Sequence, residues 1–250
     1  MKNILTILSF LVFFSNCQKD IQIGGGSTVG SGGSLARFAI VGDMMYVVTF
    51  DSLKTFNIAN QLAPTLVNGQ RIGWNEGGNI ETIFAFNNRL FIGSKTGLFI
   101  YSFKSGQIPK YEGQYEHMTG CDPVVANDSL AFVTVRNGRT CRNGFSQLNE
   151  MTVLDVKDIN YPKVLKKYPM TFPAGVGLDG KTLFVCDDGI KIFDITDPLS
   201  MTQYKYLPNI DALDVIPLNG TLLVIGNKKL TQLDYKDLNN IKTISVFDLR

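Results

Sequence analysis

Short apolar segments separated by polar turns recur along most of the chain in a fixed order. An apolar segment leads into a turn of Gly, Asn or Asp, a second apolar segment follows, and a third segment alternates apolar and polar residues. The clearest copy is Phe184–Pro198, which reads Phe-Val-Cys-Asp-Asp-Gly-Ile-Lys-Ile-Phe-Asp-Ile-Thr-Asp-Pro. Alternation with a period of two residues indicates β-strands with one buried face.

The alternating segment occurs five times. Its copies are 45, 53, 39 and 40 residues apart, and they start at Leu53, Leu98, Met151, Ile190 and Leu230. A period of roughly 40 to 45 residues with several short strands in each unit is typical of propeller blades. The pattern therefore predicts an all-β fold, a β-propeller of about five four-stranded blades. An irregular β-sandwich is the alternative.

The first two segments of each unit are joined by a pair of residues that tolerate positive φ. The five pairs are Gly42-Asp43, Asn87-Asn88, Asn127-Asp128, Asp179-Gly180 and Asn219-Gly220. Such pairs predict type I′ hairpins, which need positive φ at both turn positions. No half-blade stands at either end of the chain, so we expect the ring to close by packing of one blade on another; strand pairing by Ile21-Gln22-Ile23 is the alternative.

The first 16 residues are predicted to be a signal peptide. A positive start at Lys2 precedes an apolar run of 11 residues, from Ile4 to Phe14. This run is too short for a membrane span of ~20 residues, but it fits the apolar core of a signal peptide.

Cys17 ends the sequence Phe14-Ser15-Asn16-Cys17, which resembles the lipobox of bacterial lipoproteins and predicts lipidation of Cys17. An ordinary signal peptide with an incidental cysteine is the alternative. Residues 17–34, which include the lipidated Cys, are rich in Gly and Ser and predict a flexible tether. Residues 35–250 form the predicted propeller. We expect an exported, outer-membrane-anchored lipoprotein of a Gram-negative bacterium, facing the periplasm or the cell surface, that meets the membrane through its lipid only.

The third segment of the unit resembles the repeat of the LVIVD-repeat family of exported β-propeller proteins. Ile190–Asp194 and Met151–Asp155 are degenerate copies of the motif Leu-Val-Ile-Val-Asp, and Asp194–Pro198 resembles the Asp-X-Ser/Thr-Asp-Pro tail that follows it. The first two units depart from the motif, with Asn57 and Ser102 where Asp is expected. The resemblance implies a propeller and export, and it implies no specific activity.

Charge and metal-binding residues exclude several classes of function. The chain has 24 Lys and Arg against 22 Asp and Glu, a net charge of +2, with no basic run. We therefore expect no nucleic-acid partner. There is a single His and no Cys-X-X-Cys pair, so we expect no metal site, and no motif indicates a cofactor.

Two of the remaining cysteines are predicted to form a disulfide. Cys121 lies where the chain enters blade 3, and Cys141 lies in a long insertion between the second and third strands of that blade. Propeller topology brings both loops to one face. A bridge would close a loop of ~20 residues, worth about 3 kcal/mol in the chain-entropy picture. Cys186, in an apolar strand, is expected to be a buried small hydrophobe.

The candidate ligand face is the one on which the inner strands begin. Five positions, one in each blade, would ring one level of the central channel: Arg37, Thr82, Asp122, Ala174 and Asp214. They predict a polar, solvated mouth, unless they simply satisfy one another and water. The loops of the same face add a further set: Trp74, His117, Arg136, Arg139 and Arg142.

These residues favour a non-enzymatic binding or scaffold module whose partner is an envelope protein or a small glycan or peptide. No nucleophile motif accompanies His117. The alternative is a hydrolase acting on a sugar, lactone or peptide at the channel mouth through Asp122 and Asp214, because propeller folds also carry enzymes. A purely structural envelope protein is the third possibility.

Overall fold

A computed structural model of the protein describes residues 32–73, 79–104, 106–116, 123–136 and 148–249. Within these ranges the chain forms twenty strands and one 3₁₀ turn, Leu238–Asn240. The strands form five antiparallel sheets of four, each built from four consecutive strands in sequential order. The predicted five-bladed β-propeller is therefore confirmed.

The strand bounds follow the five units. Blade 1 is β1 Phe38–Val41, β2 Met44–Val48, β3 Ser52–Asn57 and β4 Thr65–Arg71; blade 2 is β5 Ile80–Phe86, β6 Arg89–Ser94, β7 Gly97–Ser102 and β8 Lys110–Glu116; blade 3 is β9 Val124–Ala126, β10 Leu130–Arg136, β11 Asn149–Asp155 and β12 Lys163–Pro169. Blade 4 is β13 Pro173–Asp179, β14 Thr182–Asp187, β15 Ile190–Asp194 and β16 Thr202–Leu207; blade 5 is β17 Asp214–Leu218, β18 Thr221–Ile225, β19 Lys229–Asp234 and β20 Lys242–Asp248.

The repeat is visible in the backbone as well as in the sequence. In every blade the register between the third and fourth strands shifts at the same place, two to three residues after the start of the repeated segment: at Thr55/Phe56, Ile100/Tyr101, Val153/Leu154, Ile192/Phe193 and Gln232/Leu233. A β-bulge bends its strand and increases the local twist. Five equivalent bulges thus give the five blades a common twist.

The Asp that ends the repeated segment forms a turn. Asp194 Oδ1 accepts the backbone N–H of Thr196 at 2.8 Å, and Asp197 Oδ1 accepts that of Leu199 at 3.0 Å. Asn57, Asp155 and Asp234 accept the N–H two residues on in the same way. The recurring Asp is thus local turn chemistry.

Only one of the predicted hairpin turns has positive φ at both positions. Asn219 and Gly220 have φ of 47° and 86°. At Gly42-Asp43 and Asn87-Asn88 only the first residue is left-handed. The blade 4 turn is shifted by one residue, to Gly180-Lys181, because Asp179 still pairs with Thr182.

Four apolar clusters hold the blades together. Each joins two neighbours: blades 1 and 2, 2 and 3, 3 and 4, and 4 and 5. No cluster of the described residues joins blade 5 to blade 1. Within this part of the chain, no buried apolar cluster therefore supports the expected closure by blade packing.

Burial along the strands shows the same asymmetry. In β10 and β14 nearly every side chain is buried, because both faces of the blade are covered. In β2 and β18 buried positions alternate with partly exposed ones. Blades 1 and 5 thus each have one incompletely covered face, which carries apolar residues such as Phe38, Ile225 and Phe247, 53%, 37% and 55% exposed. We call the cleft between these two faces the seam.

Candidate functional site

The sequence places Asp214 at a polar, solvated mouth of the channel. In the structure Asp214 is buried, with 5% of its surface exposed. Its carboxylate accepts three hydrogen bonds, from Ser34 Oγ at 2.9 Å, Leu35 N at 3.1 Å and Val215 N at 3.0 Å. Ser34 Oγ in turn accepts the N–H of Val176 at 2.7 Å. This set of bonds, which we call the clasp, ties the segment before blade 1 to blades 4 and 5.

In the clasp, the backbone at two glycines lies very close to the carboxylate of Asp214. The clasp also includes Ser34, which the sequence assigns to the flexible tether. A Cβ atom at Gly33 or Gly175 would collide with the Asp214 carboxylate, so both positions favour glycine. Ser34, placed in the flexible tether by composition, is fully buried. Burial raises the pKa of Asp214, and the hydrogen bonds from Leu35 and Ser34 partly offset this. The carboxylate therefore stabilises the contact between the segment before blade 1 and blade 5, and it has little surface left for a ligand.

Arg37 is exposed, and its Nη2 donates to the carbonyl of Ile80 at 3.3 Å. Burial raises the pKa of Glu81, although Lys95, Arg37 and Arg136 act in the opposite direction. Lys95 Nζ lies 4.0 Å from the Glu81 carboxylate. Three basic groups thus surround one half-buried acid on this face, which we call the upper face. Thr82 and Ala174, the other described positions of the predicted ring, are buried.

A groove of about 370 Å³ crosses the upper face between blades 3, 4 and 5. Its walls come from the end of β10, the connections into β13 and β17, and the turns after β14 and β18. The polar and aromatic side chains that line it are Arg136, Phe172, Asp188, Asn209, Asp211 and Asn227.

Arg136 is the most unusual residue of this groove. Its guanidinium lies over the ring of Phe172, 4.7 Å from the ring centre. Its Nε is buried and has no hydrogen-bond partner among the residues that the structure describes. Burial lowers the pKa of Arg136, with Glu81 acting in the opposite direction. A buried donor without a partner costs about 1–3 kcal/mol, so a shift of the Arg136 guanidinium that brings Nε to a ligand acceptor in the groove would be favourable.

Buried Asp187 fixes the loop that carries Phe172. Its carboxylate accepts the backbone N–H groups of Thr171 and Phe172 and binds Lys191 Nζ at 2.6 Å. The next two residues, Asp188 and Gly189, turn the chain with φ of 52° and 109°. The Asp-Asp-Gly sequence therefore builds one wall of the groove.

The opposite wall is held by Asp211. Its carboxylate accepts Asn227 Nδ2 at 2.9 Å and the N–H of Lys228 at 3.1 Å. The hydrogen bond from Asn227 is the main reason that the pKa of Asp211 is lowered. The groove thus presents carboxylates, amides and one guanidinium beside an aromatic ring that is 51% exposed.

Most predicted site residues lie outside the described ranges. These are Cys17, Trp74, His117, Cys121, Asp122, Arg139, Cys141 and Arg142. Cys186 is buried as expected, and burial raises the pKa of its thiol well above the usual value.

The sequence predicts Arg136 as a residue of the ligand face, but it does not predict its neighbours Phe172, Asn209 and Asp211. A usable signal existed, since Phe172 and Asp211 both occur just before an inner strand and therefore belong to the same face as Arg136. Among the described residues, no group of three or more His, Cys, Asp or Glu is arranged to hold a metal ion. In the same ranges no helix has the length and hydrophobicity needed to cross a membrane.

Several solved structures resemble this fold. A protein from Lactobacillus plantarum superposes with a TM-score of 0.61 at 13% identity, over 83% of this chain and 73% of its own. A functionally unknown protein from Desulfotomaculum acetoxidans gives 0.64 at 11% identity, over 89% and 69%. A periplasmic gluconolactonase from Pseudomonas aeruginosa gives 0.57 at 12% identity, over 83% and 68%.

At these identities the likeness shows the propeller fold alone. No family model matches the chain, and no curated protein matches it. The resemblance to the LVIVD-repeat family therefore stays a prediction.

Proposed function

We propose that this chain is a non-enzymatic binding module of the bacterial cell envelope, a member of the LVIVD-repeat family. In this proposal it is exported, anchored to the outer membrane through a lipid on Cys17, and stabilised by a disulfide between Cys121 and Cys141. Its ligand is a short glycan or glycopeptide that binds in the upper-face groove. An envelope protein that displays such a group would bind in the same place.

The observation that carries the ligand class is the Nε of Arg136, which has no partner among the described residues and lies beside the exposed ring of Phe172. In this proposal the guanidinium shifts toward the groove, where a sugar hydroxyl accepts from Nε and donates to the carboxylate of Asp188 or Asp211. The apolar face of a sugar ring would pack on Phe172. Arg139 and Arg142 are proposed to extend the same face.

The test is binding to an array of bacterial oligosaccharides and muropeptides, followed by affinity measurement for the best ligand. Arg136→Met keeps much of the side-chain volume but removes the donors, and we expect at least a tenfold loss of affinity. Arg89→Met is the matched control, since Arg89 bonds the carbonyls of Asp128 and Val156 elsewhere. Equal affinity in the Arg136 variant and the wild type would contradict the proposal.

The hydrolase alternative stays open as a second candidate, because one solved neighbour is a gluconolactonase. The burial and three hydrogen bonds of Asp214 argue against it, since this carboxylate has little acceptor surface left for catalysis. We expect no product when the protein is incubated with gluconolactone or with its array ligand. Product formation that is lost in both Asp122→Asn and Asp214→Asn would favour the enzyme.

A further inference from the structure

The lower half of the central channel contains a cavity of about 260 Å³. All five inner strands contribute to its wall. The larger apolar side chains are Phe38, Ile83, Phe84, Phe86, Leu178 and Ile216, and Asn87 has the only polar side chain among the described lining residues. The Asn87 amide is already bound to Asp128 Oδ1 at 2.7 Å. The described side chains of the wall are therefore almost all apolar, while the free edges of the inner strands add backbone N–H and C=O groups.

The clasp lies next to the upper end of this cavity. Gly32 lines the cavity, and Ser34, two residues later, is fully buried between Val176 and Asp214. The lower end reaches the face of the hairpin turns, where Asn87 stands. From Ile83 to Asn87 the strand takes four steps of about 3.3 Å, so the cavity is about 13 Å deep. We call this cavity the pit, the clasp its roof and its end beside Asn87 the lower mouth.

Few side chains of this pit can bind water. A buried water molecule usually needs two to four polar partners, and here the described side chains offer only Asn87, so water could bind only at backbone groups of the inner strands. Apolar cavities of roughly 150 Å³ stay dry and bind small apolar molecules. The present pit is larger, deep and narrow, and none of its described lining residues has a charged side chain.

We infer that the pit binds one unbranched alkyl chain, the acyl part of a fatty acid or lipid, with its methyl end under Ser34. The depth relative to the volume favours a single chain over a bulky ring system. The absence of charge in the wall requires the polar head of the ligand to remain at the lower mouth. Phe38 and Ile216 belong to both the pit and the seam, so the seam provides lateral space for a flexible chain.

The first test uses the full chain with Cys17→Ala, so that no lipid of its own is attached. The uncharged dye N-phenyl-1-naphthylamine is bound, and it is then displaced by saturated fatty acids of increasing length. We expect one saturable site and an affinity that rises about fourfold per methylene, until the chain reaches the roof and the gain stops. Absence of a saturable site, or better displacement by toluene than by decanoic acid, would overturn the inference.

A matched pair of variants locates the site. Leu178 and Leu130 are both partly buried and pack against the same cluster between blades 3 and 4, but only Leu178 lines the pit. Leu178→Trp should weaken decanoic acid binding at least tenfold, and Leu130→Trp should change it less than twofold. Equal weakening by both variants would place the site elsewhere.

The source of the alkyl chain is decided by comparing wild-type protein from membranes with Cys17→Ala. If the pit holds an acyl chain attached to Cys17, the dye binds only the variant. If the pit takes free fatty acids or membrane lipids, delipidated wild type and variant bind the dye alike. Dye bound by neither protein would again overturn the inference.

Discussion

The interface of blades 3 and 4 and the meeting of blades 5 and 1 are built in opposite ways. Between blades 3 and 4, nine buried apolar residues from Val125 to Ile195 pack across a continuous interface. Between blades 5 and 1, the described residues meet through the polar clasp of Ser34, Leu35 and Asp214, while apolar side chains of both blades stay partly exposed. The first interface depends on buried area, and the second depends on a few hydrogen bonds at one end of the channel.

We therefore expect the protein to be stiff at the interface of blades 3 and 4 and able to open at the seam between blades 5 and 1. Removing area from a covered interface leaves a cavity, because the surrounding blades cannot collapse into it. Truncating an apolar side chain of the seam lowers the free energy of unfolding much less, because that side chain is already in contact with water. The seam therefore depends on the clasp rather than on its apolar faces.

The largest contrast is expected from truncating phenylalanines. Phe132→Ala, fully buried between blades 3 and 4, should lower the free energy of unfolding by about 3–5 kcal/mol. Phe247→Ala, on the seam face of blade 5, should lower it by less than ~1 kcal/mol. Both are measured by denaturant unfolding. A large loss in the Phe247 variant would mean that the seam is covered in solution.

The clasp itself should have an intermediate effect. Asp214→Ala leaves Ser34 Oγ and two backbone N–H groups without their acceptor, and we expect a loss of about 2–4 kcal/mol. In a double-mutant cycle with Ser34→Ala, a coupling energy of about 0.5–3 kcal/mol should appear. Strict additivity of the two variants would show that Ser34 and Asp214 do not depend on each other.

The smallest effect is a pH dependence. Burial raises the pKa of Asp214, so the folded state holds its proton more tightly than the unfolded chain, whose Asp titrates at about 3.9. Stability contributed by this group therefore falls as pH rises from about 4 through its folded pKa. The advantage of wild type over Asp214→Asn in free energy of unfolding should be greatest at pH 4 and decrease toward pH 7. An advantage that grows with pH would show that hydrogen bonding outweighs burial.

The blade architecture could be predicted from sequence because each blade is a local object. Segment spacing, alternation and the recurring Asp all act within about ten residues, and the structure confirms the five blades that they predict. The equivalent bulge in each blade is a further sign of the repeat that the sequence did not predict. The sequence predicts the turn of blade 4 at Asp179-Gly180, one residue before its position at Gly180-Lys181, because Asp179 and Gly180 both tolerate turn conformations. Strand pairing of Asp179 with Thr182 decided between them.

The clasp and the seam could not be predicted in the same way. Ser34 ends a Gly- and Ser-rich run, whose composition is that of a flexible tether. Its partner, Asp214, is 180 residues away. The seam has no signal of its own, since Phe38 and Ile225 continue the alternation that a covered blade would show. Whether a neighbour covers that face depends on ring geometry, which no single unit encodes.

The distance between the partners of the clasp also bears on how the molecule forms. Each blade is made from consecutive strands, so it can assemble as soon as its own residues are available. Ser34 emerges early during synthesis, but its carboxylate partner begins the last blade. Closing so long a loop is slow compared with forming local hairpins. The ring should therefore be completed last, and until then the faces of blades 1 and 5 are open to whatever apolar partner reaches them first.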